Sequence, residues 1–260
     1  MNMVTTIPTD TRTTTMTTAT ESRPGPAARL DCSMLELIRM LQFGDSTLPT
    51  GAFSFSHGLE SAIDRRVVHD ATSLQAFVST SLDQAAGGDG VALLQGFDAA
   101  LGGRLDDVAK ADQYVYNRKL NEETRTMTVR TGKKLLEAAG RMVPGNLVLG
   151  AWLARVAGEA TPGTYPVSLA VVFATLGLPR QACFLVHQYG VASAILSSAL
   201  RLMRVDHFDT QGILFRLNAG IEQSYLQAAP KSLEDMATYA PAIDVLAAIH
   251  VKAHVRLFMS

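Results

Sequence analysis

The sequence predicts an all-α protein: a single helical, bundle-like domain of roughly eight to ten helices behind a disordered N-terminal tail. Three observations carry this. Apolar residues recur at helical spacing after Cys32, as in Leu74, Phe77, Val78 and Leu82. Helix-starting residues stand ahead of such runs, as Asn121 does before Glu122 and Glu123. Period-two alternation is missing, with Val67–His69 the only short strand candidate.

In chain order, residues 1–30 are Thr-rich and punctuated by Pro8, Pro24, Gly25 and Pro26. Such a composition cannot bury enough apolar surface to offset ordering, so this segment is a tail ahead of one domain, 31–260. Leu35, Ile38 and Leu41 space a first helix ending near Gly44. Thr72 or Ser73 caps a second. A third starts near Leu105 with Val108, Ala111 and Val115 on one face. The helix capped by Asn121 runs through Arg125 and Gly132 to about Ala139. Further runs span 146–158, 166–176, 180–203 and 208–228, with Pro166 suited to a first helical turn. The last helix, 241–258, carries Ile243, Leu246, His250, Ala253 and Leu257 along one stripe.

Composition excludes several classes. With 47% hydrophobic and 18% charged residues the chain can fill a sizeable core. A net charge of −1 argues against electrostatic nucleic-acid binding. Cys32 and Cys183 form no CxxC or Cys/His pattern, which fits a reducing cytoplasm. No secretory signal is expected, nor a membrane span: 167–178 is too short, and 182–200 carries His187, Gln188 and several serines.

The most distinctive stretch is Leu41–Glu60, LQFGDSTLPTGAFSFSHGLE. Gly44, Pro49, Gly51 and Gly58 constrain its backbone, while Leu48, Phe53, Phe55 and Leu59 load it with apolar surface. Such a loop is a recognition element or a buried crossover. Ser56 and His57 are adjacent, but the Gly-x-Ser-x-Gly elbow of a hydrolase is absent. Thr131-Gly132-Lys133-Lys134 imitates the end of a phosphate loop, yet Met127 replaces the first glycine and Lys134 the hydroxyl residue. His250 and His254 are four apart on a helix and could share an ion, but Val251 stands where a metalloprotease has Glu. Two rivals therefore stay open: a hydrolase using Ser56 and His57, and a metal carrier using His250 and His254. The constrained loop and the amphipathic C-terminus favour a binding protein over an enzyme.

Four segments together resemble the urease accessory protein UreF family. LQFGDSTLPTGAFSFSHGLE matches its Leu-Pro-x-Gly-x-Phe-Ser-Tyr-Ser-x-Gly-Leu-Glu signature. LNEETRTMTVRTGKKLL matches through Glu123, Arg125, Thr128 and Gly132. TYPVSLAVVFATLGL and the helix after it place Arg201 and Gln211 at family-like positions. YAPAIDVLAAIHVKAHVRLFMS resembles the family's terminus. Departures are Phe55 for Tyr, Thr128 for Ser, Thr164 for His, Ala170 for Gly, Val251 for Glu, and His254 for an aromatic.

The resemblance implies a cytoplasmic all-α homodimer that is not an enzyme and holds no cofactor tightly. It implies a UreD/UreH-type partner, the GTPase UreG and apo-urease, with nickel and GTP handled by those partners. The implied partner-binding residues are Phe53, Phe55, Ser56, His57, Glu60, Arg125, Arg201, Gln211, His250, Arg256, Leu257 and Phe258. No nucleic acid or membrane is implied.

Overall fold

Twelve α-helices and no strand occupy the described residues of the computed structural model, which are 32–51, 55–237 and 240–250, with the His250 side chain excluded. The predicted tail lies outside them. Val67–His69 is an irregular link, its Val67 and Val68 amides both donating to the Ala62 carbonyl.

Side-chain caps start five of the twelve helices. Ser33 opens α1 (Met34–Gly44) in a reciprocal box with Glu36. Only Met40 and Phe43 of α1 are buried; Leu35, Ile38 and Leu41 are each more than half exposed. The predicted helix is present, but its apolar stripe faces outward. Gly58 leads into α2 (Leu59–Asp64). Asp70, rather than Thr72 or Ser73, caps α3 (Ala71–Ala85), with Ser73 as its reciprocal partner. The chain then passes without a break through a π-helical turn, Ala86–Gly90, into α4 (Val91–Leu101). α5 (Leu105–Arg118), α6 (Glu122–Met142) and α7 (Leu147–Ala157) follow, the last two capped by Asn121 and Asn146. α8 (Tyr165–Thr175) carries Pro166 in its first turn, and α9 (Arg180–Leu202) starts after Pro179. The predicted 208–228 run breaks at Ala219-Gly220 into α10 (His207–Asn218) and α11 (Ile221–Ala228). α12 (Pro241–His250) is the last described helix.

α8 is the centre of the larger core. Every residue from Pro166 to Ala174 is buried, and α4, α6, α7 and α9 pack around it. A helix buried all round must be apolar all round, as this one is. Gly96 of α4 faces α8, where a Cβ would stand 3.4 Å from Val167 Cγ1 and 3.8 Å from the Ala170 Cβ. A smaller core joins α2, α3, α9 and α10. α9 serves both: Ala182, Cys183 and Phe184 in the first, Ile195, Leu196 and Ala199 in the second. α9 is long and apolar enough to cross a membrane, but 56% of its apolar window is buried inside the protein, as a core helix requires.

One buried carboxylate fixes how α8 begins. Asp112 of α5 accepts the Thr161 hydroxyl at 2.6 Å, the Gly163 and Thr164 amides at 2.7 Å each, and the Thr164 hydroxyl. Thr164 is the N-cap of α8 and makes no side-chain cap bond there. Asp112 thus supplies negative charge at the helix start from a different element. α6 closes the same joint. The Thr128 hydroxyl accepts the Tyr165 amide at 3.2 Å. Gly132 lies so close that a Cβ would stand 2.1 Å from the Gly163 carbonyl oxygen and 2.7 Å from the Thr164 carbonyl carbon.

Gly132→Ala is therefore expected to destabilise the protein by at least about 2 kcal/mol, because backbone must move. Gly150→Ala in α7, where a Cβ would meet nothing within 4 Å, is expected to be neutral or to stabilise by about 0.5–1 kcal/mol. Urea unfolding of the two variants checks this contrast.

Candidate functional site

The 55–60 turn is built to be rigid. Phe55, Ser56, Leu59 and Glu60 are buried, so an apolar ring at 55 needs no hydroxyl partner. His57 and Gly58 both adopt left-handed backbone, with φ of 53° and 81°. For a non-glycine residue such as His57 that conformation is uncommon and is held by its surroundings. Gly58 is required for a second reason. Its Cβ would lie 3.1 Å from the Ala247 amide nitrogen and 3.4 Å from the Ile243 carbonyl oxygen, so α12 rests on bare backbone here.

Beside this turn lies a polar centre that the family signature does not announce. Asp89, in the π-turn, receives the Lys119 ammonium at 2.8 and 2.7 Å, with both side chains about four-fifths buried. Burial alone would raise the Asp89 carboxyl, but Lys119, with smaller help from His187 and His57, holds it below the usual carboxylate range. His187 of α9 is buried, stacks on Tyr165 with ring centroids 6.2 Å apart, and leaves Nδ1 without a hydrogen bond. Its pKa is pushed down to about 4, first by burial, with Asp89 opposing and Lys119 adding to the drop. Half-buried His57 is likewise lowered to about 4, by burial and then by Lys119. Both imidazoles are thus neutral at pH 7.

Two further links tie neighbouring elements to this centre. Arg125 of α6 donates through Nε to the Lys119 carbonyl at 2.8 Å and lies over the Tyr116 ring. Gln84 of α3 donates to the Asp244 carboxylate at 3.2 Å and accepts the Ala240 amide at 3.0 Å, clamping the first turn of α12. Burial raises the Asp244 carboxyl.

The predicted site residues therefore separate. Phe55, Ser56, His57 and Glu60 cluster in the turn, and Arg125 reaches the same centre through Lys119. Phe55, Ser56 and Glu60 are interior in this structure. Arg201 and Gln211 are surface residues at the end of α9 and on α10, helices that pack on one another and on α3. Phe53, His254, Arg256, Leu257 and Phe258 lie outside the described residues, as does the His250 side chain. The buried Ser56 hydroxyl makes no hydrogen bond, so it is not bonded to the adjacent His57 imidazole in this structure. Lys133 and Lys134 are solvated, with Lys134 paired to Glu137 at 2.9 Å. Among the described residues no three His, Cys, Asp or Glu side chains are grouped to hold a metal.

Asp112, Asp89 and Lys119 were not visible as functional candidates. Asp112 had a signal: it falls on the stripe of Val108, Ala111 and Val115, where a carboxylate must be satisfied inside. Asp89 sits among Gly87, Gly88 and Gly90, poor helix formers that leave this stretch without a helical pattern.

Fold and site together define an all-helical protein whose signature turn, π-turn and C-terminal helix meet in one polar centre. The UreF family model matches residues 68–218. Proteins described as urease accessory protein UreF, from Yersinia pseudotuberculosis serotype IB, Yersinia pestis strain Angola and Yersinia enterocolitica serotype O:8, are 51% identical to it over 223 residues. That alignment covers 86% of this chain and 97% of theirs. This chain belongs to the UreF family of urease accessory proteins.

The two lowered imidazoles predict an acid-labile fold. Their folded pKa of about 4 lies below the ordinary 6.5, so the unfolded chain binds more protons between those values. Their stabilising contribution is complete above pH 6.5 and is lost as pH falls toward 4. Urea midpoints measured from pH 7.5 to 4.5 are expected to decline across that window. His187→Phe, which keeps the ring against Tyr165, is expected to flatten the decline.

Proposed function

We propose that this chain acts in maturation of the urease nickel centre, as a scaffold and regulator without catalytic activity of its own. In this reading it binds a UreD/UreH-type partner and recruits the GTPase UreG to apo-urease. Those partners handle nickel and GTP, and the chain works in the cytoplasm as a homodimer. Membership of the urease accessory family supports the assignment to urease.

The observation that carries the binding role is the outward face of α1. Met34, Leu35, Leu37, Ile38 and Leu41 are all more than half exposed, and α1 packs on α9, whose Leu185 and Tyr189 are also exposed. An exposed apolar face of this kind marks an association surface. The homodimer is the occupant this reading assigns to it, since a two-fold contact needs one self-complementary patch. The signature turn and the C-terminal segment, including Arg256, Leu257 and Phe258, then serve the other partners.

Ile38→Arg tests the reading. Within one subunit the side chain is in solvent, so the variant is expected to keep its helical fold by circular dichroism while losing the stabilisation that dimerisation gives. The variant is expected to sediment as a monomer, whereas the parent chain is expected to sediment as a dimer and to co-purify with the UreD/UreH-type and UreG proteins. An unchanged sedimentation coefficient would remove the dimer assignment. Failure of the parent chain to co-purify with either partner would remove the scaffold role.

A further inference from the structure

Two bodies of helices meet in this fold. α1, α4–α8 and α11 close around the larger core, and α2, α3 and α10 around the smaller one. α2, α3 and α10 find their main helix packings on α9, the π-turn and α12, and α3 and α10 also pack on each other. α12 touches both bodies, through α2 and through α6. Two continuous helical runs cross from one body to the other: α3 through the π-turn into α4, and α9.

Both runs carry glycine at the crossing without a steric reason. Gly190 falls in α9 between Phe184 and Val186 of the larger core and Ala192 and Ile195 of the smaller. A Cβ at Gly190 would meet nothing within 4 Å. At Gly87 or Gly88 it would meet only the Ala237 carbonyl oxygen, at an ordinary 3.9 Å. None of the three has a positive φ. Glycine inside a helix weakens it relative to alanine, a cost that close packing or a left-handed φ elsewhere explains. Here neither applies, and what the glycines supply is softness. The exposed Ala219-Gly220 break between α10 and α11 is a third crossing.

The two runs are stitched together beside these glycines. Buried Gln188 of α9 donates through its side-chain amide to the Leu82 carbonyl at 3.3 Å and accepts the Ala86 amide at 3.1 Å. Leu82 and Ala86 are the two ends of one α-helical hydrogen bond, and a side chain set into that ladder is a recognised cause of helix bending. The stitch stands immediately ahead of Gly87 on one run and just ahead of Gly190 on the other.

We propose that Gly87-Gly88 and Gly190 form a hinge, with the Gln188 stitch as its pivot, about which the α2–α3–α10 body swings on the larger one. This stands independently of the partner assignments above. The larger body presents the apolar face of α1. The smaller presents Phe208 and Phe215, 89% and 81% exposed and seven residues apart on one face of α10. Swinging changes the angle between these two faces, so a partner that touches both selects one angle from those the free chain samples.

Nitroxide distances by double electron–electron resonance test the hinge in the full chain. Cys32→Ser removes the accessible thiol, and fully buried Cys183 stays in place. Labels at Thr72→Cys on α3 and Ala151→Cys on α7 report across the two bodies, and labels at Ala151→Cys and Gln223→Cys on α11 report within the larger one. Dilution with unlabelled chain restricts the signal to pairs within one subunit. The cross-body distribution is expected to be at least about twice as wide as the internal one, as hinge motion requires. Gly87→Ala, Gly88→Ala and Gly190→Ala combined are expected to narrow it to the internal width and to raise the melting temperature by about 2–4 °C. Gln188→Ala is expected to widen it further, whereas a side chain of merely structural value would lower the melting temperature and leave the width alone. A cross-body distribution as narrow as the internal one, or one that the combined alanine variant leaves unchanged, overturns the proposal. So does a combined variant that melts below the parent, because the glycines would then be sterically required.

Discussion

Four donors converge on the carboxylate of Asp112, and the helix they position, α8, is the one around which the larger core closes. The donors are the hydroxyls of Thr161 and Thr164 and the amides of Gly163 and Thr164. The two backbone amides can only donate, and they meet different oxygens of the side chain, so an amide side chain would oppose donor to donor at one of them, whereas the hydroxyls can turn to accept. Through these bonds α5 sets where α8 begins. α8 is buried on every side, so its starting point also sets how α4, α6, α7 and α9 close around it. Gly132 and Thr128 complete the joint by letting α6 touch the same few residues of backbone. The Gly132 of the family motif is thus a packing requirement and not a remnant of phosphate chemistry.

α9 carries that order across the molecule. One half faces the α8 core, and the other joins α2, α3 and α10 in the smaller core. Where the cores adjoin, His187 of α9 faces the π-turn and its Asp89–Lys119 pair. A π-turn widens a helix by one residue and recurs at functional sites. Here it turns Asp89 toward Lys119, and Gly90 makes room for the Phe184 ring, which a Cβ would approach to 2.6 Å. Ion pair, lowered imidazoles and the α12 seat are consequently neighbours in one electrostatic unit.

Much of this was legible in the sequence. Asn121 and Asn146 mark helix starts as predicted, and the stripes of α3 and α5 face inward as their spacing requires. What was not legible has identifiable causes. The stripe of Leu35, Ile38 and Leu41 gives the helix but not its orientation, because periodicity cannot say whether a face meets its own core or a partner. Gly87, Gly88 and Gly90 concealed the α3–π–α4 continuity, since tertiary burial overrides their poor helix propensity. The substitution of Thr164 for the family's more usual His keeps its place because a hydroxyl serves as donor to Asp112. Phe55 keeps its place because that ring is buried.

The central claim is that the Asp112 carboxylate, rather than apolar burial alone, fixes the start of α8. The unfolding free energy of Asp112→Asn, measured in urea at pH 7, tests it most directly. The account predicts a loss of at least about 3 kcal/mol, because near-isosteric Asn leaves buried donors unsatisfied. It also predicts accelerated amide exchange at Gly163, Thr164 and Tyr165 ahead of the rest of α8. A loss below about 1 kcal/mol, the size of a single ordinary hydrogen bond, with exchange at those three amides unchanged, would contradict it.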